Sequence, residues 1–134
     1  MSVYPEKPTT FEALVAPFDA SIQHVAFDLR DLVKQAFPDF DEHIYGGLAV
    51  GNALYSRGGT ASVLCGIQPA WNHCKLYVHY VSDLKQAGLN IEGSGKHARH
   101  VKVKQLDDEN RALLLWLLRQ GYERWSVHKN DRCE

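Results

Sequence analysis

The strongest constraint on the fold is a change of hydrophobic period along the chain. From about Asp19 to Phe37, the apolar residues Ile22, Val25, Ala26, Leu29, Leu32, Val33 and Ala36 recur every three or four positions. That spacing predicts one buried stripe on an amphipathic helix. Gln23, Asp28, Arg30, Asp31 and Lys34 occupy the opposite face. Asp19 or Ser21 can cap the start, and Pro38 stops the helix because the residue before a proline avoids helical geometry. Beyond Glu42 the period falls to two. Residues 48–57, 60–67 and 75–81 read as strands, with short connections that favour antiparallel pairing. Gly58-Gly59 is a hairpin signal. Gly51-Asn52 reads as a tight turn or a bulge, the bulge being preferred.

The remaining segments complete the order. Residues 1–17 read as an extended arm, with a helical turn at 11–15 capped by Thr9 or Thr10. Residues 82–87 read as a short helix closed by Gly88, and 100–104 as another strand. A last helix starts at Asp107 or Asp108 and buries Leu113, Leu114, Leu117, Leu118, Tyr122 and Trp125. Residues 127–134 read as a polar tail. Two long helices covering one face of a sheet would bury all these stripes. The expectation is an α+β two-layer sandwich: an antiparallel sheet of about five strands, with the N- and C-terminal helices on one face of a single domain spanning 18–126.

A chain of 134 residues can bury roughly two-thirds of its unfolded surface without a metal or disulfide. Its three cysteines, Cys65, Cys74 and Cys133, form no C-x-x-C pair, which points to a reducing cytoplasm. The N-terminus lacks the basic and apolar regions of a signal peptide. No apolar run approaches the ~20 residues of a membrane span. A formal net charge of -1, and aromatic residues not interleaved with basic ones, argue against dedicated nucleic-acid binding.

The most distinctive stretch is Gly93-Ser94-Gly95-Lys96-His97-Ala98-Arg99-His100-Val101-Lys102-Val103. It resembles the YdhG-like family of bacterial domains of unknown function, whose members carry G-[ST]-G-K-x-x-R-H-[VI]-K-[VL] before the last helix. Phe37-Pro38 at the end of the first long helix agrees with that family. So does Glu42-His43-Ile44-Tyr45-Gly46, similar to an E-x-[KI]-x-W-G segment, as does His73 at a strand entry. Tyr45 stands where the family usually has Trp, and Gly47-Leu48-Ala49 where it often has a proline. The resemblance covers residues 18–125. It implies an antiparallel sheet with flanking helices, and some members are labelled frataxin-like iron chaperones.

The chemistry centres on that run. Lys96, Arg99, Lys102 and Lys104 occur there without an acid after Glu92. Gly93-Ser94-Gly95 can turn backbone N–H groups toward one anion, with Lys96 and Arg99 completing the site. The candidate ligand-binding set is Gly93, Ser94, Gly95, Lys96, Arg99 and His100, with Glu42 and Tyr45. Strand alternation sends Arg99 inward with Val101 and Val103. A buried arginine needs a counter-charge, and Glu42 or Glu92 would serve. His100, Lys102 and Lys104 then face outward, as solvated edge residues or as part of a site.

The alternative reading is iron, weakly bound by Asp28, Asp31, Asp39, Asp41 and Glu42, since hard cations want several oxygens together. No other cofactor is expected. His97-x-x-His100 and the adjacent His73-Cys74 lack the convergent ligands of a transition-metal site. No hydrolase, zincin or dinucleotide motif is present, although Cys65 or Cys74 with a histidine leaves an enzyme open. The expected role is a cytoplasmic domain that binds a small anion or a protein partner, without a membrane. Exposed sheet edges leave room for a homodimer.

Overall fold

The computed structural model describes residues 2–58, 62–95 and 98–133, with side chains as far as Ser126. The elements follow in the order α1 (Phe11–Val15), α2 (Ala20–Ala36), β1 (Asp41–Gly46), β2 (Gly51–Ser56), β3 (Val63–Pro69), β4 (Cys74–His79), β5 (Ala98–Val103) and α3 (Asp108–Cys133). The five strands form an antiparallel meander in sequence order, β1-β2-β3-β4-β5. This is the expected α+β sandwich.

Alternation gives the sheet two unlike faces. One carries Ala53, Tyr55, Cys65, Ile67, Cys74, Leu76, Val78, Val101 and Val103, all buried. The stripes of α2 (Ile22, Val25, Ala26, Leu29, Leu32, Val33) and α3 (Leu114, Leu117, Leu118, Trp125) join them in one core. The two helices pack on β3 and β4 and against each other. Residues 2–18 also enter that core: Tyr4, Phe11, Leu14 and Val15 are buried, and the Tyr4 hydroxyl donates to the Leu14 carbonyl at 2.8 Å.

The helix ends follow local chemistry. Thr10 caps α1 by accepting from Ala13 N at 3.1 Å. Asp19 holds the N-cap position of α2 without a side-chain cap bond. Asp107 caps α3: its Oδ1 accepts from Asn110 N, and Asn110 Oδ1 accepts from Asp107 N, both at 2.8 Å. That is a reciprocal capping box with Asn in the acceptor role.

Three local expectations are corrected. Gly51-Asn52 is neither turn nor bulge, because both residues lie in β2, paired with Gly46 and Tyr45. The chain reverses just before them, where Gly47 N donates to Val50 O at 2.9 Å. Gly46 is the residue this turn requires: its φ is 144° and any Cβ would run into the Val50 carbonyl. The bulge lies in β3 instead. Tyr55 pairs with Cys65 and Ser56 with Val63, so Leu64 is the extra residue, and both Leu64 and Cys65 are buried.

Residues 82–87 form no helix. Gly88, at φ 86°, sits in a tight turn that bridges Gln86 to Leu89. Glycine at positive φ serves a turn as well as a helix end. Finally, α3 continues through the expected tail to Cys133. Gly59 of the hairpin signal lies outside the described residues.

Candidate functional site

Helices cover one sheet face, and the other is where polar chemistry collects. Pairing across β4 and β5 sets Lys75 opposite Lys102 and Tyr77 opposite His100. On the same face, β3 contributes Gly66 and Gln68, β2 contributes Asn52 and Leu54, and β1 contributes His43 and Tyr45. A hollow of about 280 Å³ opens on this face, floored by Gly66 and walled by Leu54, Val63, Gln68, Tyr77 and His79. Its floor is low because Gly66 has no side chain. A Cβ there would come 2.9 Å from the tip of Leu54 and 3.1 Å from the Ala53 carbonyl.

The electrostatics of this face are one-sided. Like charges directly opposite each other on paired strands are destabilising, yet Lys75 faces Lys102. Glu92 is the carboxylate near this pair among the described residues, 3.9 Å from Lys102 Nζ. His73 and His100 register the surplus. Burial depresses the affinity of His73 for a proton, and Lys102, Lys75 and Lys104 depress it further. Burial and Lys75 act likewise on His100, with Glu92 partly offsetting them. Two imidazole nitrogens, His43 Nε2 and His73 Nε2, are buried without a hydrogen-bond partner. Tyr77 is fixed in place by donating to Gln68 Oε1 at 3.0 Å, and its ring lies 5.2 Å from that of His100.

The glycine loop borders this face. Glu92 and His100 exchange backbone hydrogen bonds of 2.8 and 2.9 Å, which lays residues 91–93 along the outer edge of β5. Gly93, at φ 116°, turns beside the Arg99 stem and His100 Nδ1. Ser94 and Gly95 follow, both exposed. Lys96 and His97 lie outside the described residues.

Arg99 stands opposite Val78 on the helix-facing side, as alternation requires. Its partner is neither Glu42 nor Glu92: its guanidinium donates to the Ala98 carbonyl at 3.3 Å and makes no ion pair among the described residues. Glu42 and Tyr45 do not join this site. They lie on β1, at the opposite edge of the sheet, about 19 Å away at ~4.8 Å per strand step.

Glu42 has another task. Arg30 of α2 grips it with two hydrogen bonds of 2.8 Å, and the Tyr55 hydroxyl donates to it at 2.6 Å. Burial alone would raise its pKa, but these donors outweigh burial and hold the carboxyl below its ordinary range. Arg30 also lies over the Phe11 ring at 4.8 Å and 3.8 Å from Glu12. This cluster ties α1, α2, β1 and β2 together.

The acidic set for iron is not assembled. Glu42 is held by Arg30 and Tyr55, and Asp28 lies 3.3 Å from His24. Among the described residues no three His, Cys, Asp or Glu side chains converge as metal ligands. Cys65 and Cys74 are buried core thiols. Burial pushes Cys65 far up and Cys74 up to about 12, so neither holds a reactive thiolate near neutral pH. No described helix is long and apolar enough to cross a membrane.

The run 93–103 is visible in the sequence as a motif, whereas the place of Lys75 and Tyr77 beside it, and of His73, emerges from strand pairing. The available signal was the period-two pattern Lys75-x-Tyr77-x-His79 alongside His100-x-Lys102-x-Lys104. Each is a strand whose polar positions all point one way. Comparison of the chain with protein-family models, curated proteins and solved structures returns no match. The functional reading therefore rests on the chemistry of this face.

Proposed function

We propose that this chain is a cytoplasmic binding domain of the YdhG-like kind, which takes a small anionic ligand on the open sheet face beside the glycine loop. The observation that carries this reading is the direct opposition of Lys75 and Lys102, with His73, His100 and Lys104 around them. The fold bears a repulsion here that a bound anion would relieve. The neighbouring hollow and its Asn52 and Gln68 amides would orient the rest of the ligand.

The test uses inorganic sulfate, a dianion that does not titrate near neutrality. Sulfate stabilises most proteins by exclusion from their surface, so the variants serve as the reference. Lys75→Gln with Lys102→Gln should weaken sulfate binding by tenfold or more, about 1.4 kcal/mol, measured by calorimetry. Lys75→Gln alone should raise ligand-free stability by about 0.2–1 kcal/mol, because it removes a like-charge pair. Unchanged sulfate binding in the double variant would refute the proposal.

The histidines supply a second check. His73 and His100 are depressed below the ordinary 6.5, so between 6.5 and their folded values the native chain holds fewer protons than the unfolded one. Their contribution to stability is complete above 6.5 and is lost as pH falls toward the folded values. A bound dianion favours the protonated form and must move both pKa values upward. Histidine resonances followed by NMR with and without sulfate report this. Titration curves that do not move would sink the anion site.

A further inference from the structure

The large apolar side chains exposed among the described residues are Tyr45, Leu48, Val50 and Trp71. All four lie at one end of the sheet, on or beside the β1–β2 and β3–β4 turns. Trp71 is 63% exposed and leans on Phe18, with ring centroids 4.8 Å apart. Between these turns lies a second hollow of about 190 Å³, walled by Phe18, Val50, Pro69, Ala70 and Trp71. Its one charged lining side chain among the described residues is Lys75. Gln68 lines both this hollow and the one over Gly66. An apolar cleft thus ends at Lys75, the residue that faces Lys102 across β4 and β5.

We infer that the ligand is a single amphiphilic anion, with its charged head on Lys75 and Lys102 and an alkyl or aryl tail in the cleft against Trp71 and Val50. This deepens the anion-binding reading and rests on it. Charge complementarity selects the occupant. A neutral apolar molecule would leave the lysine pair unrelieved, and an inorganic anion would leave Trp71 and Val50 in water. One molecule with both parts answers both, because Lys75 belongs to both surfaces. Burial of the tail adds roughly 0.8 kcal/mol for each CH₂ removed from water, so affinity should climb with chain length until the cleft is full.

The experiment compares acetate, octanoate and 1-octanol by calorimetry, with tryptophan emission as a second readout. Trp71 is the exposed indole, whereas Trp125 is buried and Trp116 half-buried, so a blue shift on binding reports Trp71. Octanoate should bind at least tenfold tighter than either acetate or 1-octanol and shift the emission. Trp71→Gln, a change at an exposed position, should bring octanoate down to the acetate level while leaving sulfate binding intact. Lys75→Gln should bring it down to the octanol level.

Octanoate no tighter than acetate, with sulfate still bound, would overturn the amphiphile and leave the anion site standing. Loss of both sulfate and octanoate binding would overturn both. Octanoate binding unaffected by Lys75→Gln would show a tail-only site and overturn the shared-lysine geometry. Binding to vesicles of anionic phospholipid, without binding to monomeric octanoate, would assign the surface to a membrane and also overturn the inference.

Discussion

Gly121→Leu is expected to abolish cooperative folding, and Gly121→Ala to destabilise the chain by about 1–3 kcal/mol, the range for overpacking a tight interface. Gly121 lies mid-way along α3, where glycine ordinarily costs ~1 kcal/mol relative to alanine. On propensity alone, alanine should stabilise. Yet a Cβ here would lie 2.5 Å from Val78 Cγ1 and 3.0 Å from the His79 carbonyl. Val78 is buried in β4 and the carbonyl is backbone, so neither yields cheaply. Glycine is what lets α3 lie directly on the sheet. Urea unfolding measures the effect. Val78→Ala removes the nearer atom, so Gly121→Ala should cost markedly less in that background, a coupling read by a double-mutant cycle. If Gly121→Ala stabilised the chain by the usual helical increment, the close approach of α3 and β4 would be refuted.

Arg30→Met is the second large effect, with a loss of about 2–3 kcal/mol at pH 7. Removing one partner of a fully buried pair costs ~3–5 kcal/mol. Here the side chains keep 22% and 15% of their surface, so solvent screening reduces the figure. The cost arises because Glu42 remains in a site built for its charge, with only Tyr55 left to donate. Arg30→Met with Glu42→Gln should therefore be less harmful than the sum of the two single changes. The pH dependence has a definite sign. The folded pKa of Glu42 is depressed below its ordinary 4.5, so the contribution is complete above 4.5 and is lost as pH falls through the folded value. Chemical unfolding at pH 7 and pH 3 should show the gap between wild type and Arg30→Met closing at the lower pH. A gap that persisted unchanged would mean that Arg30 acts through packing on Phe11 instead.

The helices were legible because each carries its own periodic stripe, and burial reads that stripe directly: Ile22 through Val33 in α2, Leu114 through Trp125 in α3. The antiparallel sheet followed from short connections. Turns were less legible, since glycine marks several different geometries. Gly88 signals a helix end and a tight turn alike, and here its positive φ serves the turn that bridges Gln86 to Leu89. Gly51 drew attention through its neighbour Asn52, but the reversal depends on Gly46.

The site was half legible for a deeper reason. Local sequence shows the basic run of β5, and alternation puts His100 and Lys102 outward. Which residues of β4 face them depends on register, and register is set by the buried partners Leu76 with Val101 and Cys74 with Val103. Glu42 illustrates the converse. Its charge suggested a partner for Arg99, but position along α2 gave it Arg30.

The meander has a consequence for how this chain is made. Each strand pairs only with its sequence neighbours, so loop closure is cheap and hairpins can form in turn as the chain leaves the ribosome. The covering layer does not arrive in the same order. α2 precedes the sheet and is ready when β3 and β4 pair, but α3 is synthesised only after the whole sheet. Until then Leu64 and Val78, which lie against Gly121 of α3, are without that part of their cover. The Trp125 indole, which donates to the Ser62 carbonyl at 2.8 Å, latches the final helix onto the loop before β3. Protection of the nascent sheet from self-association thus falls to the interval before α3 docks, and to whatever chaperone capacity the cell supplies during it.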